Sequence, residues 1–293
     1  MERSFISPPD IPQELVNAGC KKVSQTPGKL VLLGILAGAF IAFAAQGSNA
    51  AVHTINSVGI AKTLAGALFA SGLIMVIVAG AELFTGNSLI IISCLEGRTR
   101  LKGLFKNWAF VYMGNFIGSI IIAFFILQSG QLGLSGGMLG GFTIKTAVFK
   151  TSLTFGSAFF SGILCNWLVC LAVWMASAAK DIQGKILAIF FPIWLFVTSG
   201  FEHSIANMYY ISAGLLAKSN AQWVEAAYKM GVAKDKLDGL TWGTFFTKNL
   251  IPVTLGNIIG GVIFVGTMYW IIYLKKDKGV KTANYEGLSK KQL

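Results

Sequence analysis

Six stretches of this chain are apolar and free of charge, at residues 30–46, 63–81, 108–127, 153–179, 186–200 and 250–274. Four of them are long enough to cross about 30 Å of hydrocarbon as helices, and two, 30–46 and 186–200, are short. The second and fifth are interrupted near their ends by polar clusters. Gly80, Glu82, Thr85, Gly86 and Asn87 interrupt one, Thr198, Ser199, Gly200, Glu202, His203 and Asn207 interrupt the other, and apolar sequence resumes after both. A helix that stops and restarts at membrane depth frees backbone groups that lipid cannot satisfy, so the broken segments face protein or a water-lined path. The pattern predicts an all-α membrane protein of six transmembrane helices, the second and fifth broken.

The flanks read differently. Residues 1–28 are polar and carry Pro8, Pro9 and Pro12, which does not fit a cleavable signal. Within them Asp10 is a candidate N-cap, and Ile11, Leu15 and Ala18 at helical spacing predict a short amphipathic helix along the cytoplasmic surface. Residues 29–274 read as one transmembrane domain. Residues 275–293 form a basic tail without periodicity, expected to be solvated. In residues 218–243, Trp223, Val224, Tyr228 and Met230 suggest an interfacial helix, with a solvated turn at 234–238.

Composition agrees with a lipid setting: 54% hydrophobic residues, 12% charged residues and a mean hydropathy of +0.67. Of the 24 Lys and Arg, sixteen fall in one alternating set of connections: the N-terminal segment, the second-to-third and fourth-to-fifth loops, and the tail. The positive-inside rule then predicts that both termini are cytoplasmic in a multi-pass inner (plasma) membrane protein. Part of the formal charge of +12 is this topology signal. The surplus is therefore weak evidence for an anionic partner, and no nucleic-acid motif accompanies it. Cys20, Cys94, Cys165 and Cys170 lack metal-ligand or redox spacing and read as core thiols, with no metal or cofactor implied.

The chain also repeats itself. KNWAFVYMGNFIGS from Lys106 aligns without gaps with KNLIPVTLGNIIGG from Lys248, GILAG from Gly34 with GILCN from Gly162, and GAELFTGN from Gly80 with GFEHSIAN from Gly200. Three spans match three in order, over about 29–129 and 150–274. Because each half holds an odd number of spans, the second copy enters from the opposite face, an inverted repeat of the kind found in channels and transporters. Small-xxx-small packing explains recurring glycines, as at Gly114 with Gly118 and Gly256 with Gly260. It does not explain the matched Lys-Asn, Gly-Asn and Gly-x-Glu pairs.

Glu82 and Glu202 are repeat mates deep in the pattern. A pore-facing carboxylate would repel an anion, so both are expected to turn away and accept from restarting backbone N–H groups, steadying the breaks. A proton relay or cation ligand is the alternative role. Asn87 and Asn207 can cap freed backbone groups or donate to a passing anion, with capping the simpler reading. His203 breaks the symmetry, since its mate is Leu83, while Thr85 is matched by Ile205. A lone imidazole deep in the membrane can donate a hydrogen bond or lend a proton, and unperturbed it titrates near pH 6.5.

GAELFTGN, GFEHSIANMY, GILCNWLVCLAVW and IPVTLGNIIGG resemble signature segments of the formate/nitrite transporter family, over nearly all of residues 29–274. The resemblance implies an aquaporin-like fold assembled as a homopentamer in the bilayer, with a permeation path in each protomer for a small monovalent anion of a weak acid: formate, nitrite or hydrosulfide. It implies an essential His203, a partner hydroxyl at Thr85, a pore-lining amide at Asn257 and a further amide at Asn207. It places a basic residue of the extracytoplasmic mouth at Lys150, sixteen positions before Asn166. It sets apolar constrictions at Phe69, Leu73, Leu83, Phe84 and Phe196. The Thr-Gly-Asn after Phe84 is more similar to the nitrite and hydrosulfide branches than to the formate branch, and the chain as a whole is most similar to the hydrosulfide branch.

Three other classes compete. A neutral-solute channel of the aquaporin type shares the six spans, but the chain contains no Asn-Pro-Ala. A membrane-embedded enzyme would need a nucleophile and base, a metal cluster or a cofactor fingerprint, and the sequence shows none. An ion-coupled symporter, driven by protons or by a cation at Glu82 or Glu202, is the closest rival.

Overall fold

The structure, a computed structural model, describes residues 5–275; most of the predicted basic tail lies outside the described residues. Besides a 3₁₀ turn at Gln131–Gly133, twelve helices follow in order: α1 (Ile11–Ser24), α2 (Pro27–Val52), α3 (Val58–Val78), α4 (Gly86–Leu95, opening as a 3₁₀ turn), α5 (Leu101–Gln128), α6 (Met138–Thr151), α7 (Phe155–Ala178), α8 (Ile182–Ser199), α9 (Ser204–Ala217), α10 (Ala221–Lys229), α11 (Lys234–Asp238) and α12 (Trp242–Tyr273). The longest six, α2, α3, α5, α7, α8 and α12, are long and apolar enough to cross a membrane. They correspond one for one to the predicted spans, and among the described residues there is no β-structure beyond an isolated bridge.

Helices α2 and α8 run longer than their apolar runs. Ser48 and Asn49 continue α2, and Ser48 does so by donating to the backbone oxygens of Ala44 (2.8 Å) and Ala65 (3.0 Å). Helix α8 begins at an Asp181 cap that accepts from Gly184 N. Helix α12 contains π-helical turns at Phe245–Leu250 and Val262–Thr267.

The core is made of close helix pairs. Helix α2 crosses α5, and α7 crosses α12, through the repeated glycines: a methyl group on Gly38, Gly118, Gly256 or Gly260 would overlap the backbone of the facing helix. Both breaks follow one design. Helix α3 ends at Gly80 (φ 83°) and α8 at Gly200 (φ 76°), each in the left-handed region that glycine tolerates. Ala81 N then returns to Val76 O (2.8 Å), as Phe201 N does to Phe196 O (3.1 Å).

Helix α1 forms where the short amphipathic helix was expected, its apolar face turned to the bundle and its polar face exposed. Asp10 makes no side-chain cap and instead accepts from Ser7 Oγ. Ile11, Leu15 and Val16 are buried against Leu89, Ile92, Trp174 and Val265, so α1 seals the end of the bundle beneath α4. Its partner in the second half is α6, with Lys22 matching Lys150 at the same offset that relates Gly34 to Gly162. Trp223 and Ala227 of α10 are buried; α10 packs on Gly140 and Gly141 of α6, and 234–238 is a short helix rather than an irregular turn.

Candidate functional site

At the second break His203 caps α9. The backbone N–H of Ala206 donates to His203 Nδ1 at 3.1 Å, and Nε2 lies 2.9 Å from Thr85 Oγ1, at the first break. An amide N–H can only donate, so Nδ1 carries the lone pair and the neutral ring holds its proton on Nε2, directed at Thr85. The Thr85 hydroxyl proton is then free to serve another acceptor. Both side chains are buried. The structure thus joins the two residues that break the repeat symmetry.

His203 is the one polar side chain on a cavity of about 10 Å³ lined otherwise by Ile41, Phe69, Leu73, Leu83, Val169, Ile193 and Phe196, large enough for one water-sized guest. Phe69 and Phe196 meet edge to face at 5.8 Å between ring centres, and Phe196 lies 5.9 Å from the imidazole. Four of the five expected constriction residues therefore share this chamber. Phe84 does not line it. Its ring packs on Tyr112 (4.8 Å) and Trp108 (5.6 Å) and forms part of the wall of a separate apolar groove of about 490 Å³ between α5 and α12.

Beyond Phe69 and Phe196 a vestibule of about 290 Å³ opens, lined among others by Asn49, Lys62, Lys150, Glu202, Asn207 and Tyr210. Lys150 does not stand free at the mouth. Its ammonium pairs with Glu202 Oε1 at 2.9 Å and sits 5.2 Å from the Tyr210 ring centre, with only 12% of its side chain exposed. Glu202 Oε2 accepts from Asn207 Nδ2 (2.6 Å) and Asn249 Nδ2 (3.3 Å), and Asn249 Nδ2 also donates to Lys150 O (2.9 Å). The same clasp recurs at the first break. Lys22 Nζ bridges both Glu82 oxygens at 2.8 Å, Asn87 Nδ2 donates to Glu82 Oε2 (2.7 Å) and Asn107 Oδ1 (2.8 Å), and Asn107 Nδ2 reaches Lys22 O (3.4 Å).

Neither carboxylate accepts from the backbone N–H groups expected for it: lysine and asparagine side chains, brought from other helices, are the donors. Asn87 and Asn207 accordingly serve the carboxylates rather than capping backbone. The backbone of each break is clamped by Asn115 and Asn257. Asn257 Oδ1 accepts from Ser204 N (2.9 Å), and its Nδ2 donates to Gly162 O (2.8 Å) and Glu202 O (3.0 Å). Asn115 repeats these bonds on Phe84 N, Gly34 O and Glu82 O. The Asn257 amide, expected to line the path, is thus fully occupied as a clamp.

Sequence reasoning passed over Lys22, Asn107, Asn115 and Asn249 as site residues. The Lys-Asn and Gly-Asn pairs of the repeat were the signal that could have found the asparagines. Asn166 joins the halves by donating to Thr85 O (3.2 Å), Ser88 Oγ (3.3 Å) and Asn257 O (2.6 Å), and the Cys170 thiol adds a contact to Thr85 O (3.4 Å).

The formate/nitrite transporter family model matches residues 9–271. The chain is 39% identical to a probable formate transporter of Methanothermobacter thermautotrophicus, over 94% of this chain and 100% of the relative. It is 40% identical to the formate channel FocA of Escherichia coli K12, over 89% of this chain and 92% of the relative. Among solved structures, a pentameric formate channel with formate bound superposes with a TM-score of 0.74 at 40% identity, covering 85% of this chain and 98% of that one. An FNT family ion channel gives 0.77 at 27% identity, covering 90% and 98%.

Proposed function

This chain belongs to the formate/nitrite transporter family, and from that premise we propose that it conducts a small monovalent anion of a weak acid, formate first among the candidates, through each protomer of a homopentamer. The observation that carries this reading is the His203–Thr85 hydrogen bond of 2.9 Å at an apolar chamber only large enough for a small guest. Relatives named as formate channels and transporters, rather than enzymes, support anion transport, and a pentameric relative supports the assembly. They favour formate over the nitrite and hydrosulfide branches that the residues after Phe84 resemble. The loop charges support a multi-pass inner-membrane protein with both termini, and α1, on the cytoplasmic side.

The path works against a desolvation cost. A carboxylate in a dry constriction loses several kcal/mol of solvation that Phe and Leu side chains do not return. Nε2–H of His203 donates to the Thr85 hydroxyl, which leaves that hydroxyl's own proton available to an acceptor. The ring in this state lends a hydrogen bond and no proton. Transfer of a proton to the anion requires an imidazolium, and a second proton at Nδ1 displaces the Ala206 N–H from the cap of α9. Hydrogen-bonded conduction and proton-coupled transport are thereby distinguished by whether that cap opens.

The test is flux into liposomes of formate, nitrite, hydrosulfide, chloride and glycerol, with and without a proton gradient. Formate flux above the others supports the reading, and equal glycerol flux overturns it in favour of a neutral-solute channel. Formate accumulation against its gradient, driven by protons, selects the symporter.

A further inference from the structure

The vestibule presents polar groups that the carboxylate clasp does not use. Asn49 is only 5% exposed, lines the vestibule, and its Nδ2 has no partner among the described residues. A buried amide donor without an acceptor is costly unless a solute supplies one. Lys62, exposed on the same wall, makes no ion pair among the described residues. Its ammonium lies over Gly200, where an added Cβ would stand 3.2 Å from Nζ. The supporting helices are pinned together at this point, because Ser48, beside Asn49, donates to Ala65 O, one turn beyond Lys62. Lys150, the other cation on the wall, is committed to Glu202.

We propose that Asn49 Nδ2 and Lys62 Nζ form a staging subsite for a small oxyanion of the carboxylate or nitrite type, held in the vestibule before it meets the Phe69–Phe196 constriction. The proposal rests on the reading of this chain as an anion path and adds a selectivity step to it. A two-oxygen anion offers one acceptor to the amide and one to the ammonium. Sulfur is a weak hydrogen-bond acceptor, so hydrosulfide gains charge attraction from Lys62 and little from Asn49. Exposed Lys62 draws either anion over about 8 Å at physiological salt. Buried Asn49 tells them apart.

Two measurements on the full-length protein separate the subsite from transport itself: line broadening of ¹³C-formate by detergent-solubilised protein, and flux of formate and hydrosulfide in proteoliposomes. Asn49→Leu is expected to raise the half-saturating formate concentration about tenfold, the scale of one lost hydrogen bond to a charged group, with maximal flux and hydrosulfide uptake unchanged. Asn49→Asp, close in shape, is expected to abolish formate broadening by replacing the donor with a carboxylate, and it serves if the leucine variant does not assemble. Lys62→Gln should weaken uptake of both anions. Wild-type flux with broadening indifferent to Asn49→Leu or Asn49→Asp overturns the subsite and leaves the transport reading standing. Broadening that needs Asn49 in a protein that carries no formate does the reverse. Equal loss for formate and hydrosulfide in Asn49→Leu also overturns the subsite.

Discussion

Removing Glu202 should damage this protein more than removing its repeat mate Glu82, although each clasp is built from one Lys, one Glu and two Asn. The difference lies in the lysines left behind. Lys150 has 12% of its side chain exposed and Lys22 has 30%. Glu202→Ala strands a nearly buried ammonium whose remaining neighbour on that side is the Tyr210 ring at 5.2 Å. Breaking a buried pair in this way costs about 3–5 kcal/mol. In Glu82→Ala, Lys22 can swing into water, and the expected cost falls to about 1–2 kcal/mol, mainly the unpaired Asn87 donor. Lys150→Gln should cost less than Glu202→Ala, because the Glu202 carboxylate keeps Asn207 and Asn249 as donors. A double variant, Lys150→Met with Glu202→Gln, should recover much of the loss, since no charge remains buried. Thermal unfolding of the purified protein in detergent gives the ranking, with gel filtration to compare assembly. Equal destabilisation by Glu82→Ala and Glu202→Ala would refute the reasoning from exposure. Full stability with lost transport in both would make the carboxylates a relay rather than a brace.

His203→Phe should leave assembly intact and nearly abolish weak-acid flux, whereas chloride leak, which protonation cannot assist, should change differently; wild-type formate flux in an assembled variant would reduce His203 to packing. Asn115→Ala and Asn257→Ala should each lower stability by about 2–4 kcal/mol, three hydrogen bonds apiece, and a clear inequality between them in thermal unfolding would contradict the equivalence of the two clamps. Gly256→Ala should cost about 1–3 kcal/mol by forcing α12 off α7, measured by the same unfolding assay. Reversing charge at Lys62 should slow anion uptake at low salt and much less at 1 M, where the Debye length is about 3 Å, while the defect of Lys150→Gln should persist because its charge is already paired; flux against ionic strength distinguishes them.

Charge-free runs over most of each span, two of them stopped by glycine and followed by polar clusters, were enough to establish six spans and two breaks, because lipid tolerates neither charge nor unpaired backbone and so writes its constraint directly into local composition. The internal repeat was equally legible, and with it the odd pair His203 and Thr85, because asymmetry against a matched background stands out in a single chain. Helix ends were less legible. Ser48 and Asn49 read as polar, yet hydrogen bonds from Ser48 to its own helix and to Ala65 of the next carry α2 through them.

What tertiary structure alone decided is which polar group meets which. An amide at Asn257 could line a path or clamp a backbone with the same local sequence, and only the approach of Gly162 and Ser204 from two other segments makes it a clamp. A lysine at Lys150 reads as a free charge at a mouth until Glu202, 52 positions away, is found 2.9 Å from it. Phe84, adjacent in sequence to Thr85, turns to Tyr112 and leaves the chamber to Leu83 and His203. Burial and solubility act on each residue in place and are therefore recorded along the chain. Hydrogen bonds between distant segments depend on where the breaks set the next helix, and that is settled when the two halves close on each other.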